Sequence, residues 1–457
     1  MVETKRIENN RIPHRVGTDR PDTLNEGDIG MLTIQGRKQR FCDGMTRRDA
    51  LHIGAVAMGS VGFGLSDLLR AEGEAAARAS GKNLINIFLH GGPTHMDTFD
   101  LKPEAPVEYR GEFRPIATNV PGVEICELMP ELAGVADNYS IIRSTRGMNN
   151  EHTTNQGDSG WSVNAMRAMG GRPGVGAVMA KLWGPAQQTS RGMAPTAVDF
   201  GGSRPGFLGQ TYAPYRPDTT GRQNLVLKNV TLDRLDDRRN LLTGLDRLKK
   251  GIDRRGMFDA VDSYTGRALD LVVSGRIAKA LDTNLEDPRT RERYGDSNLL
   301  AARRLIEEGV RCVSMTWGGW DTHGNNFNAM RGKLPPISRK LTALIDDLQT
   351  RGLLDDTIIM MSGEFGRTPR INGNKGRDHW PAATSFFIAG GGFKHGQVIG
   401  ATTPKGERPK DNPVTLQQIF HTLYHQLGID CNTTTLMDAN GRPQYLVDDR
   451  TLIKELV

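Results

Sequence analysis

Short apolar runs that stop at glycines and polar loops recur along most of this 457-residue chain. Asn83–Leu89 is apolar apart from two asparagines and closes on Gly91-Gly92-Pro93, the pattern of a buried parallel strand entering a loop. Tyr139–Arg143, Val310–Thr316, Thr357–Met361 and Thr384–Ala389 repeat that pattern, the last closing on three glycines, 390 to 392. From about Thr231 to Gly309, Leu, Ile and Ala recur at three- and four-residue spacing between charged residues, which predicts a helical insertion or outer layer. A further helix is expected from about Leu334 to Gly352, and another over 415 to 427. In that last helix His421 and His425, at i and i+4, read as core packing. Strands alternating with helices predict an α/β fold, a mostly parallel sheet sandwiched by helices. In such folds the loops at the carboxyl ends of the strands form the ligand site.

The amino-terminal stretch has a different texture. Thr46-Arg47-Arg48-Asp49-Ala50-Leu51 precedes an apolar, small-residue run, 53 to 69, whose first charge is Asp67. This reads as a twin-arginine export signal, implying the twin-arginine export machinery as a partner and a periplasmic or extracellular destination. The run is too short and glycine-rich for a stable membrane span. Residues 1–80 are therefore expected to be an extension and 81–457 the folded domain. The cysteines, Cys42, Cys126, Cys312 and Cys431, are scattered, and three would follow the signal, so no disulfide framework is expected. The formal charge of +6 is mild for this length and spread along the chain, which argues against nucleic acid as a partner and leaves a small anionic substrate compatible.

Collecting the polar residues just beyond the expected strand ends gives Asp97, His152, Asp321, His323, Glu364, Asp378 and His379. Carboxylates and imidazoles in this mixture suit divalent Zn, Mn or Mg, and the number is enough for two ions. Two ions a few ångströms apart would clamp the attacking and leaving oxygens of a phosphoryl or sulfuryl group. Asp321 and His323, two apart, would point the same way on extended backbone. The alternatives are structural: Asp97 as a loop-capping carboxylate, Glu364 paired with Arg367, Asp378 in a buried ion pair. His90 and His95 flank the first loop, one facing substrate or both playing a plain loop role.

Four strings carry a family resemblance: HGGPTHMDTFD at 90 to 100, LAARRLIEEGVRCV at 300 to 313, WGGWDTHGNNF at 317 to 327 and GEFGRTPRINGNKGRDHW at 363 to 380. They resemble the bacterial family known as domain of unknown function 1501, whose members are similar in fold to alkaline phosphatases and sulfatases. The resemblance implies an alkaline-phosphatase-like sheet and two metals. Asp97 resembles the first-strand carboxylate, Asp321 and His323 the central pair, Glu364 the late carboxylate and His379 the final histidine. It departs where Glu364-Phe365 stands in place of an Asp-His pair. A phosphatase-like site needs a hydroxyl nucleophile, and Thr153 or Thr154 beside His152 occupies about the right place. No C/S-x-P-x-R string occurs, which disfavours a conventional sulfatase.

Two functions are therefore expected. The first is an exported, metal-dependent hydrolase of phosphate or related anionic esters, with Thr153, Thr154 and His152 as catalytic residues and Arg143 and Arg367 binding the anion. The second is a catalytically degenerate, exported metal-binding or scaffold protein.

Overall fold

A computed structural model describes residues 81–218 and 275–457. The expected export signal and residues 231–274 of the expected helical insertion lie outside the described residues.

The centre is an eight-stranded sheet. Its strands are β1 (Asn83–Leu89), β2 (Tyr139–Arg146), β3 (Ala197–Asp199), β4 (Cys312–Trp317), β5 (Thr357–Gly363), β6 (Thr384–Gly390), β7 (Gln397–Ile399) and β8 (Val414–Thr415). They lie in the order β7-β2-β6-β5-β1-β4-β3, with β8 also pairing with β2. β6 is antiparallel to both of its neighbours, and every other pairing is parallel. The sheet is thus mixed and mostly parallel, as the alternation of strands and helices implies.

The strands read as continuous apolar runs because both faces are covered. Ile85 and Ile87 of β1, Val313 and Met315 of β4 and Ile359 and Met361 of β5 face one core. That core is closed by α5 (Ser297–Glu307) and α6 (Asn326–Thr350). Leu84, Cys312, Ile358 and Met360 point the other way, against α2 (Val175–Trp183) and α7 (Leu416–Gln426). α5 starts where the Asp296 carboxylate accepts the Asn298 and Leu299 amides, and α7 where Thr415 and Gln418 form a reciprocal capping box. Residues 275–309 include α3 (Arg276–Leu281) and α4 (Pro288–Tyr294) as well as α5. They join this layer, and Leu299, Leu300, Leu305 and Ile306 share the core with β1.

α6 begins eight residues before the expected Leu334 and contains Pro335 and Pro336. Proline removes an intrahelical hydrogen bond, so a sequence pattern starts the helix there. Burial of Phe327 and Met330 ahead of the prolines gives the extra turns an apolar anchor.

Among the described residues Cys126, Cys312 and Cys431 are buried free thiols, and no helix is long and apolar enough to cross a membrane.

Because β1, β2, β4 and β5 all run the same way, the segments after Leu89, Arg146, Trp317 and Gly363 emerge on one edge of the sheet. The antiparallel β6 begins at that same edge, which brings the segment before it, with Asp378 and His379, to the same place.

Candidate metal centre

Four loops meet there. α1 (Asn155–Ser159) follows the β2 loop, which holds Asn150 and His152; the β4 loop holds Asp321 and His323. Glu364 directly follows β5, and His379 sits on a two-stranded ribbon that pairs Gly366–Arg367 with His379–Trp380. Gly91, at φ +118°, makes the meeting possible: a Cβ there would lie 2.3 Å from the Asp321 amide nitrogen, so only glycine lets the β1 and β4 loops touch.

His379 Nε2 is the focus. It lies 3.0 Å from His152 Nε2, 3.0 Å from His323 Nε2 and 3.2 Å from Asp321 Oδ1. His323 Nε2 is itself 3.0 Å from Asp321 Oδ1. Each imidazole is held from behind by an oxygen: His152 Nδ1 by Glu364 Oε1 at 3.0 Å, His323 Nδ1 by Asp378 Oδ1 at 2.7 Å and His379 Nδ1 by Asn150 Oδ1 at 2.7 Å. Those oxygens accept, so each Nδ1 carries the hydrogen and, in a neutral ring, each Nε2 presents its lone pair.

Lone pairs facing one another at 3.0 Å repel unless a cation or a proton lies among them. Ligands at Zn–N distances of ~2.0–2.1 Å on a tetrahedron stand roughly 3.3 Å apart, close to the separations seen here. Metal-binding histidines characteristically donate their other ring nitrogen to a carboxylate or carbonyl oxygen, as all three do here. His152, Asp321 and His379 can each offer an atom within 4.8 Å of the others, and so can His90, His152 and Glu364. In the second set Glu364 is fully buried and its Oε2 has no hydrogen-bond partner. An ionised oxygen in that state is costly unless a cation satisfies it. The donors therefore fit one divalent ion around His379 and Asp321, with a second position beside Glu364.

The local electrostatics favour the ligand forms. Burial by itself would raise the Asp321 carboxyl, but the Arg367 guanidinium, donating to it from 2.5 Å away, leads the contacts that overcome burial and hold the group at about 2. The His323 contact draws Asp378 below the usual carboxylate range. Burial, followed by the Arg367 charge and the neighbouring histidines, keeps His379 low and unprotonated against the pull of Asp321. The Asp321, His323 and Asp378 side chains are 45%, 46% and 53% exposed, so the centre opens directly to solvent.

Several sequence expectations need correction. Asp97 is not in the cluster: Oδ2 accepts from Arg377 Nε at 2.7 Å, Asn326 Nδ2 at 2.8 Å and Thr94 Oγ1 at 2.8 Å, while Oδ1 accepts from Arg377 Nη2 at 3.1 Å. With its oxygens saturated and buried, it braces the first loop. Asp378 and Glu364 Oε1 contact imidazole nitrogens on the side away from the focus, and so orient ligands. Neither threonine hydroxyl reaches the histidines, Thr154 donating to the Gly202 carbonyl and Thr153 approaching Glu151 at 3.5 Å. Arg143 donates to the Glu124 carbonyl at 2.8 Å and faces Asp100. Arg367 is wholly buried, and its donors go to Gly91, Gly92, the Arg377 carbonyl and Asp321, leaving no fork for a substrate anion.

Asn150 and Phe365 join the site without a sequence expectation behind them, while His90, expected to face substrate or to serve the loop, lies beside His152 and Glu364. Phe365 is fully buried and packs against His379 and His152, with ring centroids 4.4 and 5.2 Å apart, as a floor under both imidazoles. Asn150 stands two residues before His152, and His90 opens the first glycine loop; those positions were the available signals.

A family model described as "Protein of unknown function (DUF1501)" matches residues 81–457. The chain belongs to the DUF1501 family. No curated protein matches it. Among solved structures, the DUF1501 chain is similar to the lipoteichoic acid synthase LtaP from Listeria monocytogenes at 10% identity and a TM-score of 0.32, covering 79% of this chain and 78% of that one. It is also similar to the PsFucS1 sulfatase from Pseudoalteromonas sp. at 11% identity and a TM-score of 0.35, covering 79% and 72%. Likenesses this distant carry no argument about what the DUF1501 site does; its own geometry has to.

Proposed function

We propose that this DUF1501 protein is a divalent-metal-dependent hydrolase of phosphate or related anionic esters that works outside the cytoplasm. One observation carries the reading: the Nε2 atoms of His152 and His323 and Oδ1 of Asp321 lie 3.0, 3.0 and 3.2 Å from His379 Nε2 while an oxygen holds the far nitrogen of every ring. Asp321, His379 and an imidazole from His152 or His323 hold the first ion, and His90, His152 and Glu364 frame a second position. A divalent ion there supplies Lewis acidity, acidifying water and drawing charge from a phosphoryl or sulfuryl oxygen. Arg367 fixes Asp321, Asp378 fixes His323, Asn150 fixes His379, and Phe365 excludes water from beneath His152 and His379. The open centre admits an ester that stays largely in solvent. With both threonine hydroxyls committed elsewhere, the attacking oxygen comes from water, and no covalent intermediate forms on the protein.

The export part of the proposal rests on Arg47-Arg48 ahead of the apolar run. Replacing both with lysine in a fusion of residues 1–85 to a reporter active only outside the cytoplasm should abolish the signal; unchanged export removes this part.

The engaged threonines also favour a second reading, a metal-binding protein without turnover. Elemental analysis of purified protein, followed by chromogenic phosphate mono- and diesters and sulfate esters with added Zn²⁺, Mn²⁺ or Mg²⁺, separates the two. Bound metal with turnover that a chelator abolishes and metal restores supports the hydrolase. Bound metal without turnover leaves the binding protein, and protein that takes up no metal overturns both.

A further inference from the structure

The loop bearing Asn150 and His152 is fastened to the end of β5 by one side chain that belongs to neither. Gln156, in α1, has no exposed surface. Its Oε1 accepts the Asn149 amide at 2.7 Å, and its Nε2 donates to the Asn149 carbonyl at 2.9 Å and to the Glu364 carbonyl at 2.9 Å. One amide thereby grips both backbone groups of Asn149 and the backbone of Glu364. Asn150 and His152 follow within three residues on one side, and the Glu364 carboxylate lies on the other.

We infer that Gln156 is a positioning residue of the metal centre, an inference that rests on the metal reading of the site. Two contacts cross the joint it makes. His152 Nδ1 meets Glu364 Oε1 at 3.0 Å, and Asn150 Oδ1 meets His379 Nδ1 at 2.7 Å. Both set the rotation of an imidazole, and a rotated ring carries its Nε2 away from the focus. Backbone hydrogen bonds are the suitable fastening, because a carbonyl or an amide moves only with its whole loop. The chemistry needs an acceptor and two donors at one point, which a primary amide of this length provides. A carboxylate of the same shape keeps the acceptor for Asn149 N–H but sets oxygen against two carbonyls. An unbranched apolar chain keeps the volume and loses all three bonds. If Gln156 merely satisfied buried backbone groups, its loss would lower stability and leave metal affinity unchanged; a positioning role lowers affinity beyond anything stability explains.

The experiment uses the full chain, stripped of metal, with Zn²⁺ and Co²⁺ alone as probes. Zn²⁺ affinity is read by competition with a chromophoric chelator, ligand geometry by the Co²⁺ visible spectrum and stability by the metal-free Tm. Leu423→Ala, on buried α7, is the control that loosens the fold without touching the loop. Gln156→Met should weaken Zn²⁺ binding ~10–100-fold and alter the Co²⁺ spectrum, as loss of an outer partner does. Leu423→Ala should lower the Tm at least as much yet bind Zn²⁺ within about twofold of wild type. Should Gln156→Met not fold, Gln156→Glu is read in the same way. Wild-type affinity and spectrum in the Gln156 variant, while wild type binds metal, overturn the positioning role alone. Wild-type protein that binds neither ion removes the metal reading and this inference with it.

Discussion

Asp97 and Asp321 look alike in the sequence, each a carboxylate just beyond a strand, next to or near a histidine. Their surroundings are opposite. Asp97 is buried and faces donors only: Arg377, Asn326 and Thr94. Asp321 is half-exposed and faces acceptors as well, the Nε2 atoms of His323 and His379. A carboxylate whose neighbours donate is already neutralised and serves the fold. A carboxylate that also faces lone pairs, as Asp321 does although Arg367 pairs with it, leaves a place for a cation and is a candidate ligand. What separates ligands from braces at this edge is therefore the hydrogen-bonding sense of the neighbours.

The comparison can be broken by experiment, and the largest effect falls on the brace. Asp97→Ala leaves the buried Arg377 guanidinium unpaired, which should cost about 3–5 kcal/mol of stability in urea denaturation of the metal-free protein. Its Zn²⁺ affinity, if the variant folds, should stay within a few-fold of wild type; a larger loss would return Asp97 to the site.

A third carboxylate, Asp158, sharpens the contrast because it is buried with no ion pair among the described residues. Burial, followed by nearby Asp199, pushes its pKa up to about 7. The folded state thus holds a proton that the unfolded chain releases near pH ~4. The associated stability is present at low pH and is lost as pH rises from about 4 to about 7. Asp158→Asn should accordingly gain on wild type across that window, by roughly 4 kcal/mol at its upper end. Urea denaturation at pH 5 and pH 8 tests the sign, and a difference that does not grow with pH contradicts it.

Asp321→Asn keeps a partner for Arg367 but removes the ligand charge. Zn²⁺ affinity should fall by more than the ~10–100-fold typical of an outer partner, with less change in metal-free stability than Asp97→Ala produces. Asp378→Asn, behind His323, should fall within that ~10–100-fold range by the same chelator competition. The smallest effect belongs to Thr153→Ala and Thr154→Ala, which should leave ester turnover within a few-fold of wild type. Abolition by either one would restore a hydroxyl nucleophile.

Much of the fold was legible in the chain. Strands β1, β2, β4, β5 and β6 are long enough, and apolar enough on both faces, to announce themselves. The three-residue β3 and β7 and the two-residue β8 are not, because their burial comes from neighbours remote in sequence. The early turns of α6 were hidden by Pro335-Pro336, whose local veto is overridden by buried Phe327 and Met330. Asp321 and His323 were legible as candidate ligands by residue type and by their place after a strand, and His379 by residue type; the structure brings the three together. Asp378 stands behind His323 instead of at the focus, and Glu364 divides its carboxylate between His152 and a second position, because composition shows which groups can bind a cation and not which atom points at it.

By itself the sequence determined a layered α/β chain with a mostly parallel sheet and a set of polar loops at one edge, since periodicity and strand direction are local properties. Tertiary structure alone decided that Arg377 satisfies Asp97, that Asn150 and Asp378 stand behind His379 and His323, and that Gln156 joins the β2 loop to β5. Those assignments depend on hydrogen-bond direction between residues as much as 280 positions apart, and no local pattern encodes which of two distant groups donates and which accepts.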